Sequence, residues 1–356
     1  MNKERITHRG VGFLPGAAFI FARAYILHRF GLTIALAACI IYRYDDKKLN
    51  TEAKEKMELT KNQFDVLVEL TKGDFSQREI AAKTGRSLGT VNTAVRELAK
   101  RGFVQGKAIT QKGLNALEKY RAKRAVFIAA GFGSRLVPVT LKTPKPLVEV
   151  HGRRIIDGLI DACLKADITE IYIVRGYLAE KFDALKEKYP TVRFIENPLY
   201  NEANNIASAL CASTLLENAY VFEADLYITN PDIITKYHYT SDFLAIRKKK
   251  TDDWCFTVNA KNVITEEKIG GINTWQMVGI SYWNKEEGEK LANDLPAAYY
   301  SPGGKELYWE QVPLTWYKGR YSVSVRECFA EDIVEIDTFN ELKAIDRSYE
   351  NYEGGS

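Results

Sequence analysis

Residues 128 to 147 read Ile-Ala-Ala-Gly-Phe-Gly-Ser-Arg-Leu-Val-Pro-Val-Thr-Leu-Lys-Thr-Pro-Lys-Pro-Leu. This stretch follows a short apolar strand pattern, Ala125–Ala129, and leads into a helical pattern from Arg154 onward. Gly131 and Gly133 allow close backbone approach to a ligand, with N–H groups free to face phosphate oxygens. Arg135 and Lys145 add two cations to a loop whose start is tied to a strand end. The combination suits a nucleoside triphosphate. Two common phosphate loops are excluded by spacing. Gly-x-x-x-x-Gly-Lys-Ser/Thr is absent, which removes the main support for a kinase or ATPase. Gly-x-Gly-x-x-Gly is not completed, because Leu136 stands where the third glycine belongs.

Apolar strands alternate with helical patterns from Lys123 onward: Ala125–Ala129, a helix near Ile155–Lys165, Glu170–Val174, a helix near Ala179–Tyr189, Val192–Ile195, a helix near Asn205–Leu215, then Ala219–Glu223. Such a βαβ series implies an α/β fold with a mostly parallel, doubly wound sheet. Ligands of these sheets bind at the carboxyl ends of the strands, where the glycine loop begins. The strand Ala219–Glu223 leads into Asp225 at the same edge, and a hard carboxylate beside a triphosphate suits Mg²⁺. Asp337, after Ile333-Val-Glu-Ile, is a second acid at a strand end, and Glu335 shares its strand face as a secondary candidate.

The glycine stretch resembles the signature of nucleotidyltransferases with a GT-A-like Rossmann fold, matched here by Ala129, Ala130, Gly131, Gly133, Arg135, Thr140, Pro144, Lys145 and Leu147. Further residues narrow the likeness: Gly176-Tyr177, Asn204-Asn205-Ile206, Tyr308-Trp309-Glu310 and the terminal Glu-Ile-Asp ending at Asp337. Together they resemble the bacterial CTP:phosphocholine cytidylyltransferase family across nearly all of residues 123–350. The resemblance implies that the loop, including Ser134, the Gly176-Tyr177 pair and the Asn204-Asn205 segment hold CTP. It implies that Asp225 and Asp337 bind Mg²⁺, and that aromatic and acidic side chains meet a choline head. The chain departs from the family at 309–311, with Trp-Glu-Gln where Trp-Asp-Thr is frequent, so the headgroup is open.

The residue chemistry agrees. A quaternary ammonium donates no hydrogen bonds, so aromatic faces and a nearby carboxylate are what can hold it. Trp254, Trp283, Tyr308, Trp309 and Glu310 are the candidates, with Asp253 as a further carboxylate and Trp275, Tyr282 and Trp316 in the same aromatic-rich half. No nucleophile–histidine pattern is visible, and none is required, because a phosphomonoester carries nearly two negative charges at neutral pH. Arg135 and Lys145 are the expected catalytic cations. The expected reaction joins CTP and phosphocholine into CDP-choline and pyrophosphate. Phosphoethanolamine, 2-aminoethylphosphonate and a sugar 1-phosphate are the alternative acceptors.

A second pattern precedes the first. Across 58–121, Thr60, Ser76, Ser87 and Thr110 stand as helix caps, Glu79 completes a capping box with Ser76, and Phe103–Ile109 reads as two short strands about a glycine. Leu88, Val91, Ala94, Val95 and Leu98 share one helical face. The order resembles the winged-helix domains of MarR-like regulators. Ser87, Thr90, Thr93 and Arg96 are the candidate DNA contacts, with Lys100, Arg101 and Lys107 nearby. A DNA-binding regulator with a nucleotide-sensing domain is therefore the rival class, although intact Arg135, Lys145, Asp225 and Asp337 favour an enzyme.

Residues 1–45 hold two apolar runs, Val11–Ala22 and Phe30–Tyr42, separated by Arg23, His28 and Arg29. Neither reaches the length of about eighteen apolar residues that a membrane span needs. A helical or poorly ordered extension is expected. The net charge of +4 is too mild to argue for nucleic acid by itself. Five dispersed cysteines without a Cys-x-x-Cys pair suggest reduced thiols and a cytoplasmic protein. The expected partners are CTP, a phosphocholine-like acceptor and DNA. A homodimer is allowed, and the sequence leaves the oligomeric state open.

Overall fold

A computed structural model describes residues 58–352. The expectations for residues 1–45 lie outside the described residues. The chain divides into two compact units, Met1–Gln63 and Phe64–Ser356. In the described part of the first, the Gln63 backbone N–H donates to Thr60 Oγ1 at 3.3 Å and opens helix α1, Lys61–Leu70.

The second unit begins with the rest of a winged helix. Ser76 caps α2, Gln77–Thr84, in a full capping box: Glu79 N–H donates to Ser76 Oγ at 3.3 Å and Ser76 N–H to Glu79 Oε2 at 2.7 Å. Gly85 ends α2 at φ +64°, a conformation that favours glycine. Helix α3, Leu88–Lys100, buries Val91, Ala94 and Leu98. Leu88 departs from the expected buried face and is 41% exposed, because it borders an open groove between α2, α3 and the wing. Strands β1 (Val104–Gln105) and β2 (Ala108–Ile109) form the wing, and Thr110 caps α4, Gln111–Leu117.

The α/β body is built on β3 (Arg124–Ile128), β6 (Glu170–Arg175), β7 (Arg193–Glu196) and β8 (Ala219–Glu223), all parallel. Side chains alternate along β3: Ala125 and Phe127 enter one core layer with α5 (Ile155–Lys165), and Val126 enters the other with α7 (Ile206–Cys211). A sheet covered on both faces needs this uninterrupted apolar run. Each fully buried Val, Ile or Phe there contributes roughly 1.5–3 kcal/mol. Between β3 and α5, β4 (Glu149–Val150) and β5 (Arg153–Arg154) form a small hairpin.

Two of the expected helices are shorter. The 179–189 segment is a 3₁₀ turn, Ala179–Ala184, followed by α6, Leu185–Lys188; the 205–215 segment is α7 followed by a 3₁₀ turn, Ser213–Leu215.

The larger departure is a long hairpin absent from the βαβ reading: β10 (Ser241–Val258) and β11 (Ile264–Trp283). β11 pairs antiparallel with β8, and β10 pairs parallel with β12, Val323–Cys328. The seven-stranded order is β12-β10-β11-β8-β3-β6-β7. Helix α8, Lys285–Tyr299, follows the hairpin. A small ladder joins β9 (Leu226–Ile228) to β13 (Ile333–Glu335), ahead of α9, Phe339–Ile345.

Candidate active site

The glycine loop leaves β3 at the carboxyl edge of the sheet. Prolines 138, 144 and 146 keep it from continuing as an α-helix, and it descends in three 3₁₀ turns. Gly133 lies at φ +67°, and a Cβ there would stand 3.0 Å from the Lys145 Cβ. A glycine is therefore needed both for the turn and for the close passage of Lys145. Thr140 Oγ1 donates to the Gly133 carbonyl at 2.9 Å, and Tyr177 Oη donates to the Thr140 carbonyl at 3.0 Å, which braces the loop from behind.

Lys145 is nearly buried and reaches two carboxylates: Asp225 Oδ2 at 2.9 Å and Asp337 Oδ1 at 3.0 Å. Burial alone would lower its pKa, but the two aspartates outweigh it and hold it above the ordinary lysine value. Arg135, largely exposed, grips Asp337 with both terminal nitrogens, at 2.7 and 3.0 Å. The β9–β13 ladder explains the convergence. Glu335 pairs with Leu226, and Ile336 N–H donates to the Asp225 carbonyl at 3.2 Å, so the two acidic segments run side by side.

These groups line a cavity of about 450 Å³. Six carboxylates face it, Glu223, Asp225, Asp253, Glu310, Glu335 and Asp337, against the cations Arg135 and Lys145. Burial, together with the crowding of like charges, raises the pKa of several of these acids. Burial, then the charges of Asp225 and Asp337, push Glu335 up to about 9. Burial, then Glu310 and Asp225, raise Glu223 well above the carboxylate range. Oxygens of Asp225, Glu335 and Asp337 lie within 4.8 Å of one another, and Asp225 Oδ1 is buried without a hydrogen-bond partner. A hard divalent cation fits this donor set.

Of the residues expected to hold the nucleotide, Ala129, Gly131, Gly133, Ser134, Asn204 and Asn205 line the cavity. Ala130, Gly176 and Tyr177 do not. The Ala130 carbonyl accepts from Tyr177 N–H at 3.0 Å, and Gly176 makes room for Tyr200, whose ring carbon would lie 2.7 Å from an added Cβ. Their place is behind the loop, as supports. The asparagines also tie the loop side to the acceptor side: Asn205 Oδ1 accepts from Trp309 N–H at 2.8 Å.

At the other end, Trp254 and Tyr308 form a wall with ring centroids 6.0 Å apart, and Glu310 closes it. Trp283 and Trp309 are corrections. Trp283 is fully buried, donates Nε1–H to Ser281 Oγ at 2.9 Å and packs against Phe243, Trp309 and Tyr321. Trp309, 2% exposed, lies in the same core layer. Both rings are turned inward because their strand or loop positions face α8 rather than the cavity. Sequence reading missed Glu223, Gly279 and Glu267. Glu223 was legible, being two residues before Asp225 at the end of β8. Gly279 and Glu267 were not, since they depend on the register of β11 with β8 and with β10.

In the winged helix, Thr93 and Arg96 are exposed on α3. Ser87 is also exposed, but its Oγ accepts from Thr90 N–H at 3.1 Å and shares a 2.8 Å bond with Thr90 Oγ1, so both side chains serve the helix start.

Fold and site together define a nucleotidyltransferase with a winged-helix domain before it. A sequence model described as nucleotidyl transferase matches residues 124–280, and one described as winged helix-turn-helix DNA-binding matches residues 59–105. The chain belongs to the bacterial CTP:phosphocholine cytidylyltransferase family. It is 36% identical to a 2-aminoethylphosphonate cytidylyltransferase of Lancefieldella rimae over 67% of this chain and 96% of that protein. It is 32% identical to a choline-phosphate cytidylyltransferase of Streptococcus pneumoniae over 64% of this chain and 99% of that protein. The solved CTP:phosphocholine cytidylyltransferase of Streptococcus pneumoniae superposes with a TM-score of 0.58 at 30% identity, covering 64% of this chain and 99% of the other. Among the described residues, no helix is long and apolar enough to cross a membrane.

Proposed function

We propose that the protein transfers a cytidylyl group from CTP to a small phosphate or phosphonate that carries an ammonium group. The observation behind this reading is the union in one cavity of the Arg135–Lys145 glycine loop with the Trp254–Tyr308–Glu310 wall. The first suits a triphosphate and the second a cation. Phosphocholine, phosphoethanolamine and 2-aminoethylphosphonate all belong to this acceptor class. A sugar 1-phosphate has no positive charge to answer Glu310.

In the reaction an acceptor oxygen attacks the α-phosphorus of CTP. A new P–O bond forms, the bond to the bridging oxygen breaks, and pyrophosphate leaves with the electron pair. The attacking oxygen is already anionic, so no general base is required. Lys145 and Arg135 neutralise charge that grows on the leaving group, and the loop N–H groups fix the triphosphate in line. Asp225, Glu335 and Asp337 are the residues that would hold Mg²⁺. The ion would add positive charge beside the triphosphate. A pyrophosphate-release screen of the four nucleoside triphosphates against the three ammonium acceptors and glucose 1-phosphate tests the reading. Turnover with the sugar alone would overturn it.

The winged helix supports a second activity, DNA binding through Thr93, Arg96 and the neighbouring Lys100, on the strength of its family match and the exposure of those side chains. A DNA titration at several salt concentrations tests it.

A further inference from the structure

We infer that the acceptor carries a primary ammonium, bound through its N–H groups to Glu310, and that Glu267 positions Glu310 for this contact. The inference rests on the reading of this cavity as a cytidylyltransferase acceptor site. Glu310 is 3% exposed and lines the cavity, yet its Oε2 has no hydrogen-bond partner among the described residues. Its bonds come from its own backbone and from the Asn205 side chain. The charge of Glu267 reaches Glu310, and Glu267 Oε1 is likewise buried without a partner among the described residues. Buried acceptors in native proteins are nearly always satisfied, so a donor from outside the chain is called for.

The backbone reinforces the arrangement. Glu310 precedes a π-helical turn, Val312–Trp316, a rare element that recurs at functional sites. That turn brings Thr315 back so that its Oγ1 donates to Glu267 Oε2 at 3.0 Å. One segment therefore carries Glu310 and also holds the Glu267 carboxylate. Burial and the Glu267 charge push Glu310 up to about 8, and burial pushes Glu267 up to about 7, as befits acids that wait for a cation. The aromatic side is thin by comparison. With Trp283 and Trp309 in the core, Trp254 and Tyr308 remain from the four rings first considered. A trimethylammonium has no N–H to give and would leave Glu310 Oε2 unsatisfied. An ammonium with three N–H groups satisfies it.

The test is kcat/KM with saturating CTP along one series: phosphoethanolamine, its N-methyl and N,N-dimethyl forms, and phosphocholine. A site built around a hydrogen bond should lose roughly tenfold or more from the primary to the trimethyl acceptor. Glu310→Gln should cost the primary acceptor roughly a hundredfold and phosphocholine far less, which flattens the series. Glu267→Gln should raise KM for the primary acceptor with kcat and KM for CTP unchanged, a split that loss of folding would not produce. Equal or better use of phosphocholine by the unaltered protein overturns the inference and leaves the broader reading standing. No turnover anywhere in the series or with 2-aminoethylphosphonate overturns both. The series on the unaltered protein decides even where a variant fails to fold.

Discussion

At the scale of single residues, the site is a balance of charges around Lys145. Its ammonium holds Asp225 and Asp337 together, and Arg135 takes up the second carboxylate from the solvent side. Among the described residues Glu310 has no such cation, and this has a consequence for stability. Its folded-state pKa, raised by burial and by Glu267 to about 8, lies above its unfolded value. Between those two values the unfolded chain has released a proton that the folded chain still holds, so stability falls as pH rises through this window. Glu267 on β11 and Glu223 on β8 are the acids that face it, and they act in the same direction. The melting temperature of the ligand-free protein should drop from pH 5 to pH 8 more steeply than that of Glu310→Gln. Parallel melting curves for the two proteins would contradict the buried, unpaired carboxyl.

At the scale of elements, the strand β11 shapes the cavity as much as the glycine loop does. Ile280 pairs with Phe222, which sets Gly279 beside Glu223, and an added Cβ at Gly279 would stand 2.2 Å from Glu223 Oε2. Gly279→Ala should displace the Glu223 side chain and lower kcat/KM by roughly tenfold or more while the circular dichroism spectrum is kept. Unchanged turnover would show that the Glu223 position does not matter. This element also marks where the sequence stopped being informative. The parallel strands β3, β6, β7 and β8 are continuous apolar runs, and the caps Ser76, Ser87 and Thr110 are local signals, so both were legible. The β10–β11 hairpin carries the run Arg247 to Lys250 and bulges repeatedly, which hides its period. Trp283 and Trp309 were misplaced for a related reason. Residue type says that a ring is present, but only the register says which layer it enters. Asp225 and Asp337 were found because a strand end is visible in sequence, whereas their common grip on Lys145 depends on the β9–β13 ladder.

At the scale of the whole molecule, the winged helix and the α/β body are joined through the segment after α4. Tyr120 stacks on Tyr239 at 5.6 Å, His238 N–H donates to the Tyr120 carbonyl at 2.8 Å, and Ala122 N–H donates to the Lys236 carbonyl at 2.9 Å. A DNA-binding winged helix should lose affinity linearly with log salt, and Arg96→Ala should reduce that slope by roughly one phosphate contact. A slope unaffected by Arg96→Ala would remove α3 from the interface. The central claim concerns the body, and ³¹P NMR of the product tests it most directly. With CTP and 2-aminoethylphosphonate or phosphoethanolamine, the unaltered protein should convert the acceptor signal and the α-phosphorus signal of CTP into a coupled pair from a new P–O–P linkage, with free pyrophosphate beside it. Asp225→Ala should leave the starting signals in place. Coupled product only from a sugar 1-phosphate, or from a nucleotide other than CTP, would contradict the account.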